Sequence, residues 1–543
     1  MHLGIARFNY SMDYSFAYQI GENMSVLEEF KPAEVWKYFE KICEIPHGSS
    51  NTKMISDYCV EFAKEHNLRY IQDKSNNVII FKDGTAGYEN SQPVIIQGHL
   101  DMVCEKENDC PIDMDKEGLE LIVDGDMLKA VKTTLGGDDG IAIAYALAIL
   151  DSTDIPHPPI EAVFTVDEEI GMLGAADIDC SELKGNIMLN LDSEDEGHLL
   201  VSCAGGATAT CHVPVRYETV SDVNANKVMK LTVTGLNGGH SGVEIDKERA
   251  NANRIMGRVL DAINVKYGCR IISVAGGLKD NAIPRECVAE IVISDKDFDE
   301  IDSLVAEYND ILKNEYKNTD KDIAILFNSN NDSNIKSNDS LNVYSNINSN
   351  AGTNINSIND SDNSGNIEVM DTDSTKKVIA ALVNLPGGIQ RMSTDIKGLV
   401  QTSLNMGILK TVKDNSEVSM SFSVRSSIGS AKQELIDRMD CLMRVLGGSV
   451  TCVGEYPAWE YKKDSTLRNL MIDIYKEQYG EEPIVEAIHA GVECGLFAGK
   501  IKDLDCVSFG PDILDIHTTS ERMSISSVER TWKYILEILK RLR

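Results

Sequence analysis

The chain has 543 residues, of which 42% are hydrophobic, so it can form more than one hydrophobic core and is expected to contain two or three domains. Its 86 acidic and 52 basic side chains give a formal net charge of -34, which would repel nucleic acids and anionic membranes and excludes both as expected partners. No stretch approaches the roughly 20 apolar residues that cross a bilayer and the N-terminus lacks a secretory pattern, so a cytoplasmic protein is expected.

Residues 1–23 show no clear periodicity and are expected to be an N-terminal extension, which leaves open whether translation starts at Met1 or Met24. Residues 28–45 then have the spacing of an amphipathic helix. Beyond them, short apolar runs alternate with helical patterns, which indicates an α/β fold. Buried strands are predicted at residues 93–101, 159–169 and 186–194, a further strand and loop at residues 504–521, and helices at residues 140–150 and 526–543.

Residues 204–455 are predicted to be a second α/β domain, a lid, inserted into the first domain. Candidate site residues lie on both sides of it, Asp192 before and His517 after, so the chain must leave one sheet and later return to it. The first domain, the catalytic one, would therefore be split into residues 24–203 and 456–543. Two similar patterns of strands and helix within the lid suggest two related halves.

Residues 328–366 differ from their surroundings in composition, with 14 Asn and 9 Ser among 39 residues. This tract is too polar to be buried and predicts a disordered surface loop. Ordered patterns flank it on both sides, so it interrupts the inserted domain. A functional tether is the alternative to a tolerated insertion.

Ionisable side chains follow the predicted strands at the points where those strands end. In parallel α/β sheets, ligands collect at the carboxyl ends of the strands. Each short motif alone is typical of a solvated turn, but their joint appearance at successive strand ends indicates a site. Imidazole together with carboxylate groups favours zinc, manganese or cobalt over calcium or magnesium. The residues concerned are His99, Asp101, Asp138, Asp139, Glu168, Glu169, Asp192, Glu194 and His517.

Eight motifs together resemble one family, the aminoacyl-histidine dipeptidases, also called Xaa-His dipeptidases. The motifs are GHLDMV, TTLGGDDGIAIA, TVDEEIGMLGA, LNLDSE, GGHSG, NAIPRE, HAGVECG and GPDILDIHTTSERM. That family belongs to the co-catalytic zinc peptidases, with aminoacylase, carnosinase and tripeptidase. The resemblance runs from about Val26 to the C-terminus and is broken chiefly by the Asn/Ser tract. It implies a mixed sheet flanked by helices, an inserted lid, and hydrolysis of dipeptides.

The resemblance also implies two divalent metal ions per chain. Asp138 would bridge them, His99 and Asp192 would complete one site, and Glu169 and His517 would complete the other. A carboxylate has two oxygens, so it can span two metal ions about 3.5 to 4 Å apart. Zn²⁺ is the expected ion, with Co²⁺ or Mn²⁺ as alternatives.

The remaining acidic residues of these motifs would act around the metal ions. Glu168 matches the general base of the family, which takes a proton from the attacking water and delivers it to the leaving amine. Asp101 would lie behind His99 and orient its imidazole. Asp139 would not bind metal.

Four residues match the family's substrate contacts. His240 would stabilise the oxyanion, and Arg425 would bind the free C-terminal carboxylate of a dipeptide. Asn281 and the backbone of Gly491 would contact the substrate. The alternatives are that Arg425 is a surface charge and that Asn281 only caps a turn. The histidines without a visible metal-type setting are interpreted as structural: His2, His47, His66, His157, His198, His212 and His489.

Three functions stay in view at this stage. The first is a dipeptidase of broad specificity that includes Xaa-His dipeptides. The second is a deacylase of N-acyl amino acids on the same scaffold. The third is a binding protein that has lost catalysis, which is opposed by the presence of every expected ligand and of the general base. The preferred dipeptide stays open, and so does a homodimer in which His240 serves a neighbouring active site.

Overall fold

The computed structural model describes residues 26–221, 225–329 and 366–543. The predicted N-terminal extension lies outside the described residues, as does nearly all of the predicted loop at 328–366. The prediction is wrong at the start of that loop. Asn328 and Ser329 end a β-strand there, because their backbones pair with the neighbouring strand at Lys230 and Met229.

The described residues form short strands in the first and last parts of the chain and longer ones in the middle. In chain order the strands are β1 (Arg69–Gln72), β2 (Val78–Lys82), β3 (Val94–His99), β4 (Leu121–Asp124), β5 (Met127–Ala130), β6 (Ile160–Thr165), β7 (Ile187–Asn190), β8 (His198–Cys203), β9 (Gly205–Pro214), β10 (Tyr217–Val220), β11 (Asn226–Thr234), β12 (Gly239–His240), β13 (Arg270–Gly276), β14 (Ala282–Ile283), β15 (Cys287–Ser294), β16 (Ala324–Ser329), β17 (Ile367–Met370), β18 (Gly388–Met392), β19 (Val400–Val412), β20 (Glu417–Ser426), β21 (Ser449–Tyr456), β22 (Ile484–Ile488), β23 (Asp505–Ser508), β24 (Ile513–Leu514) and β25 (Arg522–Ser524).

Helices alternate with these strands and cover the sheets. They are α1 (Ala33–Cys43), α2 (Lys53–Glu65), α3 (Gly137–Asp151), α4 (Leu173–Asp177), α5 (Ala252–Lys266), α6 (Phe298–Glu315), α7 (Thr372–Asn384), α8 (Gly429–Leu446), α9 (Thr466–Tyr479), α10 (Glu493–Lys500) and α11 (Ile525–Arg541). Short 3-10 helices lie at Ile245–Lys247, Asp295–Asp297 and Lys413–Asn415. Within the described part of the chain, no helix is long and apolar enough to cross a membrane.

The first sheet is mixed and lies between helices. Its strand order is β1-β2-β6-β3-β7-β23-β8-β22, and the adjacent strands β6, β3, β7 and β23 run parallel. Side chains alternate across β3, so Val94 and Ile96 join the core beneath α3 while Ile95 joins a second core beside Phe497 of α10. The predicted mixed sheet flanked by helices is therefore confirmed.

The second sheet is antiparallel, and helices pack against it to form one hydrophobic core. Its strand order is β16-β11-β15-β13-β19-β20-β9-β21, with β18 paired to β19. Helices α5, α7 and α8 contribute Ile255, Val378 and Met439 to the core that this sheet covers. The close contact of α5 with α7 depends on Gly257, because a Cβ there would lie 2.6 Å from Cβ of Leu382.

The two sheets are made from separate stretches of the chain. The strands of the first sheet come before β9 or after β21 in the chain, whereas those of the second sheet all come from the stretch between β9 and β21. Cys203, at the end of β8, forms an isolated bridge with Trp459, where the chain returns. This path is compatible with an inserted domain, and the boundaries at residues 204 and 455 stay a prediction.

Candidate metal centre and active site

The candidate site residues lie at one edge of the first sheet. His99 ends β3, the turn with Glu168 and Glu169 follows β6, and Asp192 follows β7. Because β3 runs parallel to both β6 and β7, the carboxyl ends of the three strands meet at the same edge. Asp138 reaches this edge from the start of α3, which packs against β3.

Two groups of side chains there could each hold a metal ion. Donor atoms of His99, Asp138 and Asp192 lie within 4.8 Å of one another, and so do those of Asp138, Glu169 and His517. Asp138 belongs to both groups because Oδ1 is 3.1 Å from Nε2 of His99 while Oδ2 is 3.2 Å from Nε2 of His517. The structure therefore brings together all five residues that the sequence nominated as ligands.

The contacts in both groups fit a pair of divalent cations. Oε1 of Glu169 is buried and 2.8 Å from Nε2 of His517, yet it has no hydrogen-bond partner of acceptable geometry among the described residues. Oδ1 of Asp192 is 3.6 Å from Nε2 of His99, too far for a hydrogen bond. Buried carboxylates without such partners are compensated by cations. Imidazole and carboxylate are also the donors that zinc, manganese and cobalt accept.

Neighbouring charges control the protonation of His517. Its contacts with the carboxylates of Asp138 and Glu169 raise the pKa of His517 to about 10. The imidazole thus holds a proton on the nitrogen that a metal ion would need. Metal binding to this group should therefore release protons and become weaker at low pH.

Asp101 holds the turn that carries the two adjacent glutamates. Its Oδ1 accepts a hydrogen bond from the Glu168 amide at 3.0 Å, and its Oδ2 accepts one from the Glu169 amide at 3.3 Å and one from Oγ of Ser49 at 2.8 Å. Nδ1 of His99 is 2.9 Å from the backbone carbonyl of Asp101 but 3.5 Å from its carboxylate. The nearer group behind His99 is thus the carbonyl, and the carboxylate mainly orders the glutamate turn.

Glu168 lies in an environment that disfavours its charged form. Burial, with the negative charges of Asp192, Glu493 and Glu169, raises the pKa of Glu168 to about 9, although His99 opposes the shift. A carboxylate with a raised pKa retains a proton readily. A nearby divalent cation would lower this pKa, because it stabilises the charged form.

Asp139 and Glu194 lie near the centre but outside both groups of donor atoms. Oδ2 of Asp139 accepts a hydrogen bond from the backbone amide of His99 at 3.1 Å, so this carboxylate supports the end of β3. Burial, followed by the charge of Asp192, raises the pKa of Asp139 well above its usual range. Burial and the charge of Asp138 raise the pKa of Glu194 to about 8.

Arg425 is buried and its guanidinium is only partly paired. The residue lies on β20 with 9% of its surface exposed, so the alternative of a surface charge is wrong. Nη1 donates a hydrogen bond to Oη of Tyr456 at 3.1 Å, and Nε has no partner among the described residues. A buried guanidinium with a free donor is suited to bind a carboxylate.

His240 presents a neutral imidazole with a defined tautomer. Its Nδ1 accepts hydrogen bonds from the backbone amides of Gly242 and Val243, both at 3.2 Å, which assigns the ring proton to Nε2. Burial and the charge of Arg425 lower the pKa of His240, so the ring is neutral at pH 7. The imidazole therefore offers one N–H donor.

For the two other predicted substrate contacts, Asn281 and Gly491, the structure shows only local backbone and packing contacts. Asn281 is exposed, and it is its backbone carbonyl that accepts a hydrogen bond from Ser241, the neighbour of His240, at 2.8 Å. Gly491 leaves space for an aromatic ring, because a Cβ there would lie 2.6 Å from Cε2 of Tyr456 and 3.2 Å from Cε of Met172. The substrate contacts of both residues stay predictions.

Three further residues lie near predicted site residues, and the sequence interpretation missed their contacts. Tyr456 pairs with Arg425, as described above. His489, interpreted as structural, has Nε2 2.7 Å from Oγ of Ser403, and burial and Arg425 lower its pKa to about 4. Glu493 is fully buried. The only signal for the last two residues was their place in the HAGVECG motif.

Glu493 connects the strands that end at the metal centre. Its Oε2 accepts hydrogen bonds from Nε2 of Gln97 at 2.6 Å and from Oγ1 of Thr165 at 2.7 Å. Gln97 lies two residues before the end of β3, and Thr165 ends β6. Asn190, at the end of β7, joins the same network by donating from Nδ2 to Oε1 of Gln97 at 2.5 Å.

Known proteins resemble this chain over nearly its whole length. Residues 231–320, within the second sheet and its helices, match the peptidase dimerisation domain model of the M20 peptidases. The chain is 36% identical over 519 residues to the cytosol non-specific dipeptidase of Escherichia coli (strain K12), which covers 96% of this chain and 99% of that protein.

Solved structures show the same architecture. The aminoacylhistidine dipeptidase from Vibrio alginolyticus matches with a TM-score of 0.83 and 32% identity, covering 95% of this chain and 97% of that one. The aminopeptidase PepT from Bacillus cereus matches with a TM-score of 0.51 and 13% identity, over 94% of this chain and 99% of that one. The PepT match shows a shared fold alone.

Proposed function

The chain belongs to the M20 family of metallopeptidases, and from this premise we propose that it hydrolyses dipeptides at a centre of two metal ions. The observation that carries this proposal is the sharing of Asp138 between two groups of metal-type donors, with Glu168 on the adjacent turn. One carboxylate that faces two imidazoles through its two oxygens is suited to bridge a pair of metal ions.

His99 and Asp192 would hold one metal ion, Glu169 and His517 the other, and Asp138 both. When bound, such ions lower the pKa of a water molecule and polarise a carbonyl group. Zn²⁺ is the proposed ion because the donors are imidazole and carboxylate, with Co²⁺ or Mn²⁺ as alternatives.

Glu168 would transfer the proton during hydrolysis. Its carboxylate accepts a proton from the attacking water and later delivers it to the nitrogen of the leaving amino acid. Burial favours the protonated form of Glu168, which suits a group that must hold the proton between these two steps. Asp101 keeps the glutamate turn in place through the backbone amides of Glu168 and Glu169.

Arg425 and His240 would position the substrate. Arg425 binds the free C-terminal carboxylate, and its bond to Tyr456 limits the orientations of the guanidinium. The Nε2–H group of His240 donates to the oxygen that becomes negative as water attacks the carbonyl. Recognition of a terminal carboxylate near the scissile bond favours short peptides.

Several finer properties belong to the same proposal. The names of the relatives, a non-specific dipeptidase and an aminoacylhistidine dipeptidase, support a broad specificity that includes Xaa-His dipeptides. The match to a peptidase dimerisation domain supports a homodimer. The relative named for the cytosol supports a cytoplasmic location.

Metal depletion followed by substrate tests examines the proposal. Chelation should abolish the hydrolysis of a panel of dipeptides, because the proposed reaction depends on metal ions held by these side chains. Addition of Zn²⁺, Mn²⁺ or Co²⁺ should restore the activity. N-acetyl amino acids assayed in parallel test the deacylase alternative, since they carry the same terminal carboxylate but no free amine. Full dipeptidase activity in metal-free protein, or faster hydrolysis of the N-acetyl substrates, would contradict the proposal.

A further inference from the structure

Glu521 makes three hydrogen bonds to the loop that precedes Asp138. The side chain is 3% exposed and lies four residues after His517. Oε2 accepts from the amide of residue 135 at 2.8 Å and from that of residue 136 at 3.3 Å, and Oε1 accepts from the amide of residue 137 at 2.8 Å. Both carboxylate oxygens are therefore used by three consecutive backbone amides.

Those three amides open the segment that presents Asp138. Gly136 is the residue before α3 and has a left-handed backbone (φ 66), and the first amides of a helix have no partner within it. Asp138 itself departs from helical geometry (φ -84, ψ 105). The carboxylate of Glu521 thus binds the backbone immediately before the proposed bridging ligand, Asp138.

The same residue supports the turn of His517. The amide of Glu521 donates to the carbonyl of Thr518 at 3.1 Å, which closes the turn after His517. His517 has a left-handed backbone (φ 61), an uncommon conformation for a residue with a side chain, so its position depends on the surrounding turn. One side chain therefore joins two segments that each carry a proposed metal ligand.

We propose that Glu521 is a positioning residue of the metal centre, which fixes residues 135–137 against the His517 turn and so holds Oδ2 of Asp138 3.2 Å from Nε2 of His517. This inference rests on the proposed function, because it takes Asp138 and His517 as ligands. It assigns Glu521 no contact with substrate.

Glu161 provides a matched control elsewhere in the sheet. It is 4% exposed and binds two consecutive backbone amides, because the Lys184 amide is shared between Oε1 at 2.9 Å and Oε2 at 3.1 Å and the Gly185 amide donates to Oε2 at 3.0 Å. Glu161 lies near the start of β6, at the edge opposite the metal centre. Replacing either glutamate by Gln substitutes an amide donor for one accepting oxygen, and only E521Q does so beside proposed ligands.

The experiment is a Co²⁺ titration of metal-free wild type, E521Q and E161Q, with a competing chelator to measure affinity and visible spectra to report coordination. E521Q should bind Co²⁺ about 10- to 100-fold more weakly, with an altered spectrum, whereas E161Q should match wild type. Wild-type affinity and spectrum in E521Q would overturn the inference, and so would equal losses in both variants.

E521D is the second variant if E521Q does not fold, because it keeps the charge but withdraws the carboxylate by one methylene group. Unchanged Co²⁺ affinity and spectrum in E521D would overturn the inference, and a weakened affinity would support it. Failure of the wild type to bind Co²⁺ would instead refute the proposed function, before any variant is compared.

Discussion

Replacing Glu168 with Gln separates proton transfer from metal binding. The change keeps the size of the side chain but removes the carboxylate that accepts the proton. The turn should stay in place, because Asp101 binds the backbone amides of residues 168 and 169 and not the Glu168 side chain. We expect both metal ions to remain bound while kcat falls by about 100-fold or more.

The expected magnitude rests on three other carboxylates of the site that are already in contact with other groups. Asp101 accepts three hydrogen bonds, Asp138 faces two imidazoles, and Glu169 lies 2.8 Å from His517. None of these three carboxylates can accept the proton of the attacking water without losing one of these contacts. The loss should therefore reach the range of about 100- to 10,000-fold that general acid–base catalysis contributes.

Glu169 to Gln is the matched comparison, because it alters the adjacent residue and a proposed ligand. Here metal occupancy should drop, and added metal should recover part of the activity. The assay is metal content per chain, measured beside kcat and KM for one dipeptide. Loss of metal in E168Q with retention in E169Q would reverse the assignment of the pair, and full activity in both would refute the mechanism.

Two further predictions concern substrate binding and pH. Tyr456 to Phe should raise KM by about 3- to 10-fold with little change in kcat, because Arg425 loses one neutral hydrogen-bond partner; a fall in kcat at constant KM would contradict this. In the metal-free protein, the pKa of Glu168 is about 9 in the folded state and about 4.3 in the unfolded state. Between these two pH values the folded state binds more protons than the unfolded state, so the free energy of unfolding falls as the pH rises. Denaturant unfolding from pH 5 to 9 should show a smaller fall for metal-free E168Q, and an equal fall would contradict the burial argument.

Local patterns in the sequence were sufficient for the four central strands of the first sheet, β6, β3, β7 and β23. Apolar runs that end in ionisable residues predicted strands at 93–101 and 159–169, and the structure has shorter strands at Val94–His99 and Ile160–Thr165. The predicted helix at 140–150 lies within Gly137–Asp151, because a helix that is apolar on all sides must be buried. Periodicity and residue type are local properties, so the sequence reveals them directly.

The type of site was also available from the sequence, since imidazole and carboxylate groups at strand ends indicate a metal whatever their exact directions. The resemblance to a known family then nominated the individual ligands. The structure places those five residues together, and the relatives confirm a dipeptidase family. The identity of the metal ion stays a prediction, because the same donors accept several ions.

Only the tertiary structure decided which groups contact one another. Asp138 and His517 are 379 residues apart, yet one carboxylate oxygen of Asp138 lies 3.2 Å from His517. No role was predicted for Glu521 or Tyr456, because neither a glutamate in a loop nor a tyrosine at the end of a strand has a local pattern that names its partner. A hydrogen bond needs a distance near 3 Å and a direction, and both arise only when distant segments pack. The sequence by itself therefore determined the elements and the chemistry of the site, whereas packing determined its geometry.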